Sequence, residues 1–199
     1  MTGLFTIGHS LYLSEVFNDI ISENQIVKIW DVRSSPFSKW APQFNRGDLE
    51  KWLKAEYHYA GDDLGGRPTD MSLYTDGRVD FNLVMQAPNF LRCLDLLSED
   101  VSSGKRVAIM CSEKDPVSCH RFVLISRLLK KRGFPITHVL RSSKIGTGKC
   151  LESQEELEQR MMGKFCYPSM FLSPEEALDQ AYEAQGMRIA YKLNHGKTK

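Results

Sequence analysis

The segment from Met110 to Arg121, MCSEKDPVSCHR, sets two cysteines, an acid, a histidine and an arginine between an apolar run and a helical one. A thiol beside an imidazole is a nucleophile with its base; thiols with an imidazole are also soft metal donors; and a guanidinium is a fork for phosphate or carboxylate. Cys119, His120 and Arg121 are expected in the first turn of the following helix, where free backbone N–H groups and the helix dipole favour an anion and ease thiol ionisation. Residues of matching chemistry recur elsewhere: His9 and Ser10 after one apolar run, Asp31 and Arg33 after a second, and Gly65, Gly66 and Arg67 in a polar loop. Each also has a plainer reading. Cys111 can be a small packing residue at a strand end, Asp31 and Arg33 can pair with neighbours, His9 can bond a carbonyl, and Gly65-Gly66 can be a turn.

These residues act together only if regular elements bring them to one rim. Apolar runs at 4–7, 26–30, 57–60, 106–110 and 136–140 read as strands. Helical spacing follows most of them: Val16, Phe17, Ile20 and Ile21 behind Ser14; Leu49, Trp52 and Leu53 behind Asp48; and Phe90, Leu91, Leu94 and Leu97 after a restart at Pro88. Phe122, Val123, Leu124 and Ile125 continue to a Lys130-Lys131-Arg132-Gly133 stop. The alternation predicts a three-layer α/β fold with a mostly parallel sheet of about five strands, helices on both faces and right-handed crossovers. In such sheets ligands lie beyond the carboxyl ends of the strands, where His9, Ser10, Asp31, Arg33, Cys111 and Glu113 all fall. Residues 1–140 form the expected core domain. Residues 141–199 form a helical extension packed on it, with capping boxes at Ser153/Glu156 and Ser173/Glu176. The loop from Leu64 to about Arg78 is a lid candidate. Trp30, Trp40 and Trp52 read as core, as does Tyr59, while His58, His138 and His195 read as structural or exposed.

Composition narrows the partners. In 199 residues, 26 basic side chains face 25 acidic ones, which leaves no general electrostatic footprint for nucleic acid or an anionic membrane. No apolar run has membrane-spanning length and the first residues lack a charged signal region, so the chain is expected in the cytoplasm. Cys93, Cys111, Cys119, Cys150 and Cys166 are an odd set in a chain too large to need staples, hence free thiols are expected.

The strings TIGHS, DVRSSPFSKWAPQFN, DLGGRP and MCSEKDPVSCHR, in this order, resemble the family of domain of unknown function 488 over roughly residues 4 to 140. The family's signature elements map onto His9, Asp31, Arg33, Pro36, Phe44 and Asn45, then Leu64, Gly65 and Gly66, then Cys111, Glu113, Cys119, His120 and Arg121. The resemblance implies a bacterial or archaeal cytosolic α/β protein with a polar cleft and assigns no activity.

Three classes of function follow. The first is an enzyme on a small anionic substrate, phosphate-bearing or nucleotide-like, with Cys111, Glu113, Cys119, His9 and Asp31 as catalytic groups and Ser10, Arg33, Gly65, Gly66, Arg67, His120 and Arg121 as substrate-binding groups. A rhodanese-like sulfur transferase is a variant of this class, since DVRSSP after one strand and a cysteine after a later one echo that arrangement. The second is a metal centre drawing on His9, Cys111, Glu113, Cys119 or His120, although a cysteine separation of eight positions, with seven residues between, is not a zinc-finger spacing and assigns no ligand set. The third is a non-catalytic ligand- or nucleic-acid-binding module using Lys130, Lys131, Arg132, Arg141, Lys144 and Lys149, charges that equally suit a solvated face. The sequence specifies no cofactor and no oligomeric state.

Overall fold

The computed structural model describes residues 3–144, 148, 150–165 and 172–193. Lys149, Cys166 and His195, each named above, lie outside the described residues. Eight strands run in chain order: β1 (Gly3–Gly8), β2 (Lys28–Asp31), β3 (Glu56–Tyr59), β4 (Tyr74–Thr75), β5 (Arg78–Val79), β6 (Arg106–Cys111), β7 (Ile136–Val139) and β8 (Leu151–Ser153). The helices are α1 (Ser14–Glu23), α2 (Arg46–Trp52), α3 (Gly61–Leu64), α4 (Phe81–Val84), α5 (Pro88–Ser102), α6 (Arg127–Lys131), α7 (Gln154–Phe165) and α8 (Pro174–Ile189). A π-helical stretch, Arg121–Ser126, leads directly into α6.

The sheet has the order β3-β2-β6-β1-β7-β8 and is parallel except for β8. The five expected strands are all present. The sixth is an antiparallel edge inside the segment expected to be wholly helical: three residues suffice because β7 offers it an open ladder. Side-chain alternation sends β1, β2 and β6 to both faces. Phe5, Ile7, Ile29, Ala108 and Met110 pack with Phe17, Ile20 and Ile21 of α1 and Leu49 of α2. Leu4, Trp30, Val107 and Ile109 pack on the other face with Phe90, Leu94 and Leu97 of α5 and with Phe122 and Leu124.

The helix after β1 therefore lies on one face and the helix after β6 on the other, although these strands are neighbours. Loops leaving in opposite directions open a crevice at the carboxyl ends of β1 and β6. Leu157 and Met161 of α7 and Ala181 and Tyr182 of α8 join the second core cluster. A buried polar chain locks them there: Thr6 to His138 Nδ1 at 2.8 Å, His138 Nε2 to Gln154 at 2.7 Å, Gln154 to the Tyr182 hydroxyl at 2.7 Å, and that hydroxyl to Glu158 at 2.8 Å.

Local expectations fare unevenly. Both capping boxes form, as Ser153 with Glu156 and Ser173 with Glu176. Ser14 makes no cap; Leu13 occupies the position before α1 and the Ser14 hydroxyl meets Glu15 instead. Trp30 is buried and Trp52 half-buried, but Trp40 is 88% exposed on the loop after β2, where the Ser38 hydroxyl ties the turn at Trp40 and Ala41 and it is Ala41 that packs inward. The lid candidate is a pinned structure: β4 and β5 form a ribbon whose Gly77 and Val79 bond Leu193 and Tyr191, so the end of the described chain straps it down.

Candidate functional site

Backbone geometry first fixes the loop after β6. Beyond the strand, the ladder with β1 continues as His9 N to Cys111 O and Ser10 N to Ser112 O, both 2.9 Å. A Cβ on Gly8 would stand 1.8 Å from the Glu113 carbonyl oxygen, so only glycine lets the loop close over β1. The carboxylate of Asp115 accepts from Val117 N, and Gln185 of α8 donates to Val117 O at 2.6 Å. The chain then turns through Pro116–Ser118 and returns Cys119 and His120 toward Cys111.

Between this loop, the loop after β2 and the segment after α8 lies a cleft of ≈ 410 Å³. Its floor holds Cys111, Glu113, Cys119 and His120. Hydroxyls of Ser34, Ser35, Ser38, Ser112 and Ser118 and the guanidinium groups of Arg33 and Arg67 make its walls largely polar. Phe81, Ile189 and Tyr191 supply an apolar side, with the Arg67 guanidinium 4.7 Å from the Tyr191 ring centroid. A second cavity of ≈ 440 Å³ between the β4–β5 ribbon and α8 contains none of the Cys/His group.

His120 is the best-defined group. Its Nε2 lies 3.1 Å from the Val32 carbonyl oxygen, an acceptor only, so Nε2 carries the proton and Nδ1 is left to face the sulfurs. Nδ1 is 3.7 Å from Cys119 Sγ and 3.9 Å from Cys111 Sγ. Gly66 presses on the ring from above; a Cβ there would come within 2.9 Å of it. Cys111 Sγ sits 3.0 Å from Glu113 Oε2 and donates to it.

The two thiols are electrostatically unlike. The free thiol of Cys111, within hydrogen-bonding reach of the Cys119 sulfur, buried and facing Glu113, is pushed well above the usual thiol range. Burial also opposes ionisation of Cys119, but a hydrogen bond from the Cys111 thiol, whose one proton is shared with Glu113, and the positive charges of Arg121 and His120 outweigh it and hold this thiol well below that range. Burial disfavours the imidazolium of His120, yet the facing Cys119 raises its pKa, as burial raises that of Glu113.

The remaining candidates stand behind the cleft. Asp31, fully buried, accepts from Arg33 N, Nε and Nη2 and from the Tyr57 hydroxyl, which fills its lone pairs. His9 stacks on Phe44 at 4.4 Å, bonds the Ser10 carbonyl through Nδ1, and receives Arg33 Nη1 at Nε2. Burial, then the Arg33 charge, lowers its pKa to about 4, so it is neutral and orients Arg33 without facing the cleft. Ser10 takes a left-handed turn with φ 47° and Gly65 packs on Ser34; neither lines the cleft.

Arg121, expected as the anion fork, departs most from its sequence reading. It is 0% exposed, and Nη1 and Nη2 donate to the carbonyls of Glu113 and Lys114 at 2.7 and 3.3 Å, which ties the loop instead of facing the cleft. Apolar packing of the following helix pulls its first side chain inward. Sequence reasoning did not single out Ser38, Phe81, Ile189 or Tyr191; the serine-rich stretch after DVR signals the first, and nothing in the chain signals that Ile189 and Tyr191 return to this wall.

The basic residues considered for nucleic acid are partnered: Lys130 with Glu155 and Glu158, Lys131 with Asp179, Arg132 with Asp95 and Lys144 with Asp19, while Arg141 bonds the Ser142 carbonyl. Among the described residues, no helix is long and apolar enough to cross a membrane.

Chemically, the floor offers a thiol polarised toward ionisation beside an imidazole of fixed tautomer, and equally three donors converging on one point. Compared with known families, residues 13–128 match the model described as Domain of unknown function DUF488, a span that holds DVR, DLGGRP and the Cys/His loop and begins just after His9. Comparisons with curated proteins and with solved structures returned no match.

Proposed function

We propose that this chain, which belongs to the DUF488 family, is an enzyme acting on a small anionic, phosphate-bearing or nucleotide-like substrate in the cleft at the carboxyl ends of β1, β2 and β6. The observation that carries this reading is the meeting of the polar, arginine-bearing wall with the Cys119–His120 pair on one floor. Arg67, exposed and without an acidic partner among the ion pairs of the described residues, supplies the charge for the anion, and the serine hydroxyls supply neutral donors. Arg33 is already matched by Asp31 and acts as a fixed donor framework, which His9 holds in place. The reacting atom is placed over Cys119 and His120, where rigid backbone on both sides gives the pair a fixed aim. The apolar strip of Phe81, Ile189 and Tyr191 suits the non-phosphate part of the substrate, such as a base or short carbon skeleton.

The test is calorimetric titration with inorganic phosphate, pyrophosphate and adenosine 5′-monophosphate, followed by turnover assays on a panel of phosphate-bearing metabolites. Binding that falls about tenfold or more in Arg67→Ala, with turnover abolished in Cys119→Ala while binding persists, supports the reading. Failure of every probe to bind, or binding indifferent to Arg67, overturns it.

A further inference from the structure

We infer that Cys111 Sγ, Cys119 Sγ and His120 Nδ1 form a site for one thiophilic divalent cation of the zinc class, with the fourth coordination position open to the cleft beside Glu113. The three donor atoms all lie within 4.8 Å of one another. Donors set tetrahedrally around zinc, at about 2.3 Å to sulfur and about 2.0 Å to nitrogen, stand about 3.5 Å apart from S to N and about 3.8 Å from S to S. The two S···N separations here are 3.9 and 3.7 Å. Both sulfurs thus stand almost equally far from one nitrogen, as the corners of a coordination polyhedron do; a contraction of about 0.4 Å or less closes each S···N edge, and the sulfurs start within 4.8 Å of one another.

The surroundings are those of a prepared site. The nitrogen turned to the sulfurs is the unprotonated one because Nε2–H is held on the Val32 carbonyl, the outer bond that fixes tautomer and ring angle in metal-binding histidines. Gly66 leaves the ring its room, since a Cβ there would come within 2.9 Å of Nδ1. Cys111 ends a central strand, and Cys119 begins the chain's entry into the π-helical stretch, so both sulfurs sit on rigid elements. The eight-residue spacing, unlike a zinc finger's, follows from this: the loop spans from a strand end to a helix start instead of forming a knuckle. Two thiolates and a neutral imidazole match the +2 charge, with the thiol protons passing to solvent on binding. Glu113, whose Oε2 is 3.0 Å from Cys111 Sγ, stands beside the remaining position as a base for a bound water.

The inference deepens the proposed function at the same site and rests on it only for the use of that fourth position. It is tested without substrate, by titrating the full-length chain, kept reduced with a phosphine, with Co²⁺ and then displacing it with Zn²⁺. One equivalent per chain is expected, with a thiolate-to-cobalt charge-transfer band and the intense visible bands of tetrahedral Co²⁺. Cys111→Ser and Cys119→Ser each cut the charge-transfer intensity by about half, whereas Cys93→Ser, Cys150→Ser and Cys166→Ser leave the spectrum unchanged. In the unmutated protein, Zn²⁺ protects Cys111 and Cys119 from alkylation while Cys150 still reacts, a readout that needs no variant to fold. Absence of the bands at one equivalent, or alkylation of Cys111 and Cys119 that proceeds without Zn²⁺ and is not slowed by it, overturns the inference. Metal binding without any anion binding leaves it standing and removes the enzyme reading; turnover by a chain that shows no Co²⁺ bands does the reverse.

Discussion

Replacing Arg121 by alanine separates architecture from ligand binding at the loop that carries the two cysteines. The guanidinium is fully enclosed, and its bonds at 2.7 and 3.3 Å to the carbonyls of Glu113 and Lys114 tie the first half of that loop. Arg121→Ala leaves both carbonyls bare, at about 3 kcal/mol for one strong and one weak charge-assisted bond. Loss of the stem opens a cavity worth about 2 kcal/mol. Against this, the chain no longer holds a cation away from water with its Nε unpartnered, which returns about 1–2 kcal/mol. The net expectation is a loss of about 3–4 kcal/mol, read by urea denaturation as a fall of more than about 1 M in midpoint at an m-value near 2–3 kcal/mol/M. Arg121→Lys recovers only part of it, since an ammonium reproduces one point of a planar fork. A variant within about 1 kcal/mol of the parent that fails to bind inorganic phosphate would refute this reasoning and make Arg121 the anion ligand that its place in the sequence suggests.

The other expectations concern packing, contact and pH. Gly66→Ala, whose Cβ meets the His120 ring at 2.9 Å, should cost about 1–3 kcal/mol by overpacking and blunt the Co²⁺ spectrum, measured by thermal melting and absorption; an unchanged spectrum would release the ring from its clamp. Trp30→Ala should cost about 3–5 kcal/mol and Trp40→Ala less than about 0.5, because one indole is 2% exposed and the other 88%; equal costs in urea would contradict the burial. Burial lowers the pKa of His138 to about 3, below the unfolded value near 6.5, so the unfolded chain takes up the proton first as the medium is acidified. Stability should therefore fall by up to about 1.4 kcal/mol per unit between pH about 6.5 and about 3, and unfolding curves of His138→Gln should lack that share of the slope. A slope identical in the variant would remove His138 as its source.

Much was legible in the chain because it depends on local pattern. Apolar runs of strand length alternating with helical spacing specify a parallel α/β sheet, since strands buried on both faces need unbroken hydrophobicity and crossovers need helices. The same logic put His9, Asp31, Arg33 and Cys111 at strand ends; Asp31 and Cys111 prove to be the last residues of β2 and β6, with His9 and Arg33 just past β1 and β2, and the punctuation around Pro88, Gly133, Ser153 and Ser173 marked helix boundaries correctly. What the pattern cannot carry is which side of a strand end a polar residue faces. Asp31 and Arg33 satisfy one another two residues apart, because a buried charge is retained only with a partner at hand, and the neutral His9 stacks on Phe44 and accepts from Arg33. Arg121 is likewise drawn under the loop by the apolar helix it begins. Long-range packing alone brought the end of α8 and the chain just past it back as Ile189 and Tyr191 of the cleft wall, and paired a three-residue strand with the edge of β7. The sequence by itself determined the residue types and the rim they reach. Only the tertiary structure decided that Cys111, Cys119 and His120 converge while Asp31, His9 and Arg121 support them, because convergence depends on the register between β1 and β6 and on the close approaches at Gly8 and Gly66, set by residues far apart in the chain.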